Sequence, residues 1–383
     1  MESPFEYTHP VKELNFIGRS KEVNTLASLL KAKKNILCYG APKIGKRSII
    51  NNTITKLVNE QYNFTLIELD LFNIRCVEAF LLRFANLIFR QLAKNNLDWG
   101  KLKENFIPSA PYEIETTDNG TIRFTYKTKE LLNSIQIEEL LNLPQKFAVE
   151  SGRHVIIYIR NFQDMLLLEE APHFFKVTEN SWSKQSNVNY IITGEYTNAM
   201  KNIFHVYKHY YGFAEEFEVP FIDDNLFADY ISKCFLKSGK VIQPDLASNM
   251  YRKVGRNPWY AQHLSSLCYD MTLGYVNENI INEGIKSLIN IHEFRYHYLI
   301  SGLSRHQLRF TQAIMDGVTK FSSADILEKY KLNSSANVNR VRDALVKKEI
   351  ITFNSNKEGV FIDPLLEYWL RNYFFTKQSI LNI

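Results

Sequence analysis

Asn35–Ile50 reads NILCYGAPKIGKRSII. An apolar, β-rich run ends at Tyr39. Gly40-Ala41-Pro42-Lys43-Ile44-Gly45-Lys46 follows, and a helical segment comes after it. Strand, GxxxxGK and helix in that order form a phosphate-binding loop. The glycines let backbone N–H groups turn inward around phosphate oxygens, and the helix N-terminus adds its positive end. Lys46 is placed to reach β- and γ-phosphates.

The next position departs from the motif. A hydroxyl should follow the lysine to ligate Mg²⁺. Arg47 stands there, and Ser48 comes one residue late, about 100° further round a helix. The second half of such a site follows a later buried strand, Arg153–Ile159. An acid pair should end that strand, one acid for the metal and one to activate water. The sequence gives Arg160-Asn161-Phe162-Gln163 instead. An amide cannot take a proton at neutral pH. Both metal-facing positions have become arginine, so Arg47 and Arg160 are expected to occupy the electrostatic place of Mg²⁺ and to require an anion. That anion is either a nucleotide phosphate bound without metal or an acidic side chain such as Glu195 or Asp70. Ser48 and Asp164 are the candidate ligands if a metal is held after all.

Outward from the loop, residues 1–220 alternate short apolar strands with helical segments, the pattern of a parallel sheet with crossover helices. The strand candidates are Asn35–Tyr39, Phe64–Leu69, Val155–Ile159 and Tyr190–Thr193. Tyr112–Lys127 alternates at period two around Asp118-Asn119-Gly120 and predicts an inserted β-hairpin. Residues 221–300 are helical, with breaks at Pro220 and Pro244, and the stripe Phe227, Tyr230, Phe235 reads as core. Residues 301–383 read as three helices and two strands around Asn354–Gly359.

These segments together resemble the archaeal-type P-loop ATPases of the AAA+/STAND group. Phe16-Ile17-Gly18-Arg19 with Glu22 is similar to the family's FxGRxxE opening near the adenine. Leu140–Ala148 with Val155–Gln163 is similar to the segment around its hhhhDEFQ strand, with Phe162-Gln163 kept and the acids replaced. Val188–Gly194 resembles the sensor strand, with Glu195 at the position after it. Asn257-Pro258-Trp259-Tyr260-Ala261-Gln262 is similar to NPxYxQ in the helical lid, and Asp363–Leu370 to the DPxxxxWLR ending. The resemblance implies an α/β P-loop domain, a helical lid and a C-terminal winged helix. It implies ATP or ADP as cofactor, with Gly40–Ser48, Phe16, Gly18, Arg19 and Pro258 around it. The substitutions at Arg47, Arg160, Asn161 and Glu195 leave no assigned catalytic residue and no metal ligand.

In the third part, Ser322 or Ser323 is expected to cap the second helix and Ser334-Ser335 the third. Asn337, Asn339, Arg340 and Arg342 on that third helix, with Lys357 at a wing tip, are side chains suited to reading DNA. Val338, Val341 and Leu345 form its core face. The net charge of +4 over residues 301–383 is small for a dedicated DNA binder, and a packed regulatory role is the alternative. The Tyr207–Tyr211 cluster with His209 could stack a base, but is read as buried packing, and His263 and His306 as ordinary helix-face residues.

Composition bounds the rest. The chain has 383 residues, 45% of them hydrophobic and 23% charged, with a net charge of +5, which suits a folded protein of two or three domains. Cys38, Cys76, Cys234 and Cys268 form no CxxC pair and are expected to be reduced and buried. No run approaches a membrane span, and a cytoplasmic location is expected. The reading is a pseudo-ATPase acting in binding or assembly, with DNA, a protein or further copies of itself as partner. The alternatives are an active Mg²⁺-dependent ATPase and a DNA-binding regulator to which nucleotide is irrelevant.

Overall fold

The computed structural model describes residues 3–93, 95–126 and 131–376. Lys127, the last residue of the expected hairpin, and residues 377–383 lie outside them. The chain forms two compact units. One comprises Glu22–Tyr39 and Asn52–Glu218, and the other comprises the chain up to Lys21, Gly40–Asn51 and the chain from Val219 on.

The strands of the first unit are β1 (Ile36–Tyr39), β2 (Phe64–Asp70), β3 (Tyr112–Thr116), β4 (Ile122–Tyr126), β5 (His154–Arg160), β6 (Val188–Thr193) and β7 (Glu215–Glu218). The helices up to this point in the chain are α1 (Ser20–Lys31), α2 (Lys46–Asn59), α3 (Val77–Leu92), α4 (Asn96–Phe106), α5 (Ser134–Leu141), α6 (Leu143–Ser151), α7 (Ala171–Trp182) and α8 (Thr197–Lys201). Five strands form a parallel sheet in the order β2-β5-β6-β1-β7. Val155–Ile159 and all of β6 are buried without alternation, so both faces of the sheet are covered by helices. The four expected strands are present, most of them longer by a residue or two. β7, EEFE, was not visible in the sequence pattern. It is an edge strand whose glutamates face solvent, and backbone bonds to β1 define it.

The inserted hairpin is β3 and β4, paired antiparallel, with Gly120 at φ 78° in the turn. It is anchored by Phe124, whose ring lies 4.6 Å from Phe89 and 4.7 Å from Trp99. Asn86 on α3 extends the ladder with its side chain. Its Oδ1 accepts the Phe124 N–H at 2.7 Å, and its Nδ2 donates to the Phe124 carbonyl at 3.2 Å.

In the second unit, α9 (Asp224–Lys237), α10 (Pro244–Lys253), α11 (Pro258–Met271) and α12 (Glu278–Ser301) follow one another, with the short parallel pair β8 (Val241–Ile242) and β9 (Tyr275–Val276). Pro244 and Pro258 open their helices, where a missing N–H costs nothing. Phe227, Tyr230 and Phe235 are buried, as a core stripe should be.

Then come α13 (Arg305–Met315), α14 (Ala324–Lys329), α15 (Ser335–Lys347), the antiparallel strands β10 (Ile351–Phe353) and β11 (Gly359–Phe361), and α16 (Pro364–Trp369). This is a winged helix. Val338, Val341 and Leu345 are buried, each contributing about 1.5–3 kcal/mol by leaving water. Ser334 caps α15 by accepting the Asn337 N–H at 3.3 Å. Ser323 occupies the cap of α14, but its hydroxyl donates back to the Lys320 carbonyl and caps nothing. Cys38, Cys234 and Cys268 are buried free thiols. Cys76 is exposed, because it precedes α3 in a surface turn. Among the described residues no helix is long and apolar enough to cross a membrane.

Candidate functional site

The glycine loop has the backbone of a phosphate cradle. Gly40 (φ 147°) and Gly45 (φ 103°) hold values that L side chains resist, and a Cβ on Gly45 would meet no atom within 4 Å. The space over that turn is open, and Lys46 begins the 14-residue helix α2 directly behind it. The residues present therefore fit a phosphate group. Lys46 is buried, and its ammonium donates to the carbonyls of Gly40 (3.2 Å) and Ala41 (3.0 Å).

The loop is braced from outside by the resembling segments. Buried Arg19 donates to the Ile44 carbonyl at 3.3 Å and to the Pro220 carbonyl at 2.6 Å. Gly18 (φ 62°) allows the turn before it, and half-buried Phe16 closes the preceding short helix. Asn257 caps α11 through its Oδ1, and its Nδ2 donates to the Pro42 carbonyl at 3.1 Å. Pro258 takes the first position of α11. Lys43, in the left-handed region at φ 61°, sets its ammonium 3.2 Å from the centre of the Trp259 ring. So Arg19 and Asn257 act as positioners of the loop.

The Ser48 Oγ accepts the Val11 N–H at 3.1 Å. Arg47 is exposed. No cluster of three or more His, Cys, Asp or Glu suited to a metal ion occurs among the described residues.

At the carboxyl ends of the sheet strands, Arg160 sits opposite Asp70 in the β5–β2 register. Its Nη2 is 3.0 Å from Asp70 Oδ2. Asp70 Oδ1 accepts Asn161 Nδ2 at 2.8 Å and the Phe72 N–H at 3.0 Å. Asn161 reaches it from the left-handed region (φ 54°), which asparagine tolerates. Of the two acids proposed from sequence, Asp70 is thus the partner of Arg160. Glu195 is exposed and presents its own N–H to Gln163 Oε1 at 3.1 Å.

Asp164 does a different job. Its carboxylate is buried, with Oδ2 accepting the Asn73 N–H at 2.8 Å and Oδ1 accepting Gln163 Nε2 at 3.0 Å. Gln163 therefore links the end of β6 to Asp164, and Asp164 pins the turn after β2. Gly194 is required beside this link, since a Cβ there would lie 2.7 Å from Gln163 Oε1 and 2.6 Å from Met200 Cγ. The preserved Phe-Gln pair was noted in the sequence, but its partner Asp164 was not legible as a clamp.

His263 is no ordinary helix-face residue. It is buried, and the Tyr7 ring stacks on it at 4.1 Å and 9°. Trp259 donates its indole N–H to the Tyr7 carbonyl at 2.6 Å. Burial, then Arg295, Lys43 and His263, push the His292 imidazole down to about 4, and burial lowers His263 as well. A histidine with a depressed folded-state pKa is protonated first in the unfolded chain. Stability is therefore expected to fall as pH drops from about 6.5 towards 4. The urea midpoint should be lower at pH 5 than at pH 7, and His292→Phe should shrink that difference; an equal drop in the variant would remove His292 as its source.

On α15, Asn339 and Arg340 are exposed, as is Lys357, which holds φ 63° at the wing tip. Asn337 is half-buried and donates its amide to the Leu332 carbonyl at 2.9 Å, which secures the turn before the helix. Arg342 pairs with Asp343.

The comparisons agree with this architecture. Residues 294–372 match the family model described as a probable winged helix domain. A Walker-type ATPase of Pyrococcus abyssi superposes with a TM-score of 0.64 at 13% identity, covering 96% of this chain and 99% of that one. The ORC2 protein of Aeropyrum pernix, in its ADPNP–ADP complexes, superposes at 0.57 with 12% identity, covering 98% and 99%. Its ADP form gives 0.58 at 11% identity, covering 98% of each chain. The fold is that of an AAA+-type P-loop ATPase carrying a winged helix. No curated protein sequence matches.

Proposed function

We propose that this chain is a degenerate member of the AAA+/STAND group, a pseudo-ATPase that works by binding or assembly. The Arg160–Asp70 pair carries the reading. The cation standing where a metal-holding carboxylate belongs is already neutralised from within the protein. Ser48 and Asp164, the two candidates for a rescued metal site, each serve a backbone N–H. Asn161 has no proton-accepting group for an attacking water. The open turn over Gly45 leaves room for a phosphate on the loop, and the ADPNP and ADP forms of the ORC2 protein support ATP or ADP as that ligand. When bound, the nucleotide would supply charge and binding energy, and Lys46 would exchange loop carbonyls for phosphate oxygens.

In this reading residues 1–220 form the P-loop domain, 221–300 the lid and 301–383 the winged helix, which is presented to a partner in the cytoplasm. Duplex DNA is the partner best matched by Asn339, Arg340 and Lys357; a protein or a second copy would use the same exposed face.

Phosphate release from Mg²⁺-ATP is expected to stay at the level of Lys46→Ala, while calorimetry detects ATP or ADP equally with and without Mg²⁺. Arg340→Ala should weaken duplex binding and reduce its salt slope by about 1. Turnover that needs Mg²⁺ and is lost in Lys46→Ala would overturn the pseudo-ATPase. Duplex binding with no nucleotide binding would leave the DNA-regulator reading.

A further inference from the structure

Residues 3–11 run as a strap across α11. The Ser266 hydroxyl donates to Ser3 Oγ at 2.9 Å, and buried Phe5 sets its ring 5.2 Å from that of Phe235. Tyr7 comes next, stacked on His263 and accepting the Trp259 indole N–H. The strap ends on α2, where the Val11 N–H meets Ser48. The glycine loop is fastened at the same place. Asn257 holds the Pro42 carbonyl, and Lys43 lies against the Trp259 ring. Trp259 is therefore a shared clip: its ring seats the loop and its N–H seats the strap.

Two histidines back this clip. The Trp259 ring lies 5.7 Å from His263 and 5.6 Å from His292 of α12, and the two imidazoles are 6.1 Å apart. His263 Nδ1 and His292 Nε2 are buried atoms with no hydrogen-bond partner among the described residues. A protonated imidazole carries an N–H on both nitrogens, so charging either ring buries a donor without an acceptor. The charges nearby do not relieve it. Lys43 on the loop and Arg295 on α12 are themselves cations. On the strap, Glu6 accepts the N–H groups of Thr8 and His9. On α12, Glu293 accepts the Trp369 indole N–H and pairs with His297. Asp363 serves Arg295, the Tyr260 hydroxyl and the cap of α16. Tyr7, Tyr260 and Tyr296 supply the remaining rings.

We propose that the strap is an acid-released clasp on the glycine loop: protonation of His292, with His263 beside it, drives Trp259 from its seat, so that the Tyr7 and Lys43 contacts part together. The clasp opens locally, without unfolding of the chain, and needs no nucleotide on the loop. The closed form holds His292 down at about 4, while an open form lets it return to its ordinary 6.5. The closed form is thus fully favoured above pH 6.5 and progressively less so as pH falls towards 4.

The test is hydrogen exchange of the tryptophan indole N–H groups, followed by NMR on the full chain at low urea concentrations, with Trp259→Phe assigning the signal. Trp259 should exchange by an opening that urea does not accelerate, whereas the buried Trp369 should exchange in a urea-dependent way. The protection of Trp259 should fall about twentyfold from pH 7 to pH 5, the factor that the displacement of His292 alone gives. His292→Phe should remove most of that fall. Tyr7→Ala should lower Trp259 protection already at pH 7 and leave Trp369 unchanged. Exchange of Trp259 as urea-dependent as that of Trp369, protection equal at the two pH values, an undiminished fall in His292→Phe, or unchanged Trp259 protection in Tyr7→Ala would each overturn the clasp.

Discussion

Gly255→Ala is expected to lower the melting temperature by about 6–15 °C, corresponding to roughly 2–5 kcal/mol. Gly255 ends α10 at φ 65°, with its N–H on the Arg252 carbonyl and the next N–H on the Tyr251 carbonyl. A side chain there pays twice. The left-handed backbone costs an L-residue roughly 1–2 kcal/mol. The new Cβ would also stand 2.8 Å from Pro364 Cγ and nearer still to Pro364 Cβ, and a proline ring cannot rotate away. Pro364 itself is fixed, because it opens α16 behind Asp363. That carboxylate caps the helix, accepts the Tyr260 hydroxyl at 3.0 Å and pairs with Arg295. A double-mutant cycle with Pro364→Gly separates the two costs. The steric part should vanish in the double variant and the backbone part should remain. Strict additivity would mean that no clash exists.

Asp164→Ala is expected to cost roughly 2–4 kcal/mol in metal-free buffer. The buried carboxylate serves the Asn73 N–H and the Gln163 amide, and its removal leaves both donors without an acceptor. Asn73 is itself in the left-handed region at φ 57°, so the turn after β2 depends on this pin. Asp164→Asn keeps one acceptor oxygen and should cost about half as much. The same experiment decides between two chemistries. A clamp is felt in the melting curve without any metal. Were Asp164 a rescued metal ligand, the metal-free melt would hardly change and only the response to Mg²⁺ would shift.

Local features were readable where one stretch of chain carries the whole pattern. Gly40–Lys46 needs only its own glycines, lysine and flanking elements to be recognised. The hairpin is written in alternation and a turn, and Val338, Val341 and Leu345 mark one face of α15 by spacing alone. Strand β7 was hidden because glutamates at a sheet edge carry no apolar signal. Ser323 was misjudged as a cap because a short polar side chain has several backbone groups within reach, and local sequence does not say which it takes.

The sequence by itself determined that a glycine loop ending in lysine lies between a strand and a helix, that Arg47 follows this lysine and Arg160-Asn161 follow a later apolar strand, and that a winged helix comes last. Those facts rest on residue types at fixed short spacings, which the chain carries whether folded or not. Only the tertiary structure decided what the substituted residues do. It gave Arg160 to Asp70, turned Asp164 into a clamp, set Ser48 against Val11, and left Tyr207 and Tyr211 facing water. Each of these depends on which distant groups come within about 3 Å, or fail to, and that is set by sheet order and helix packing.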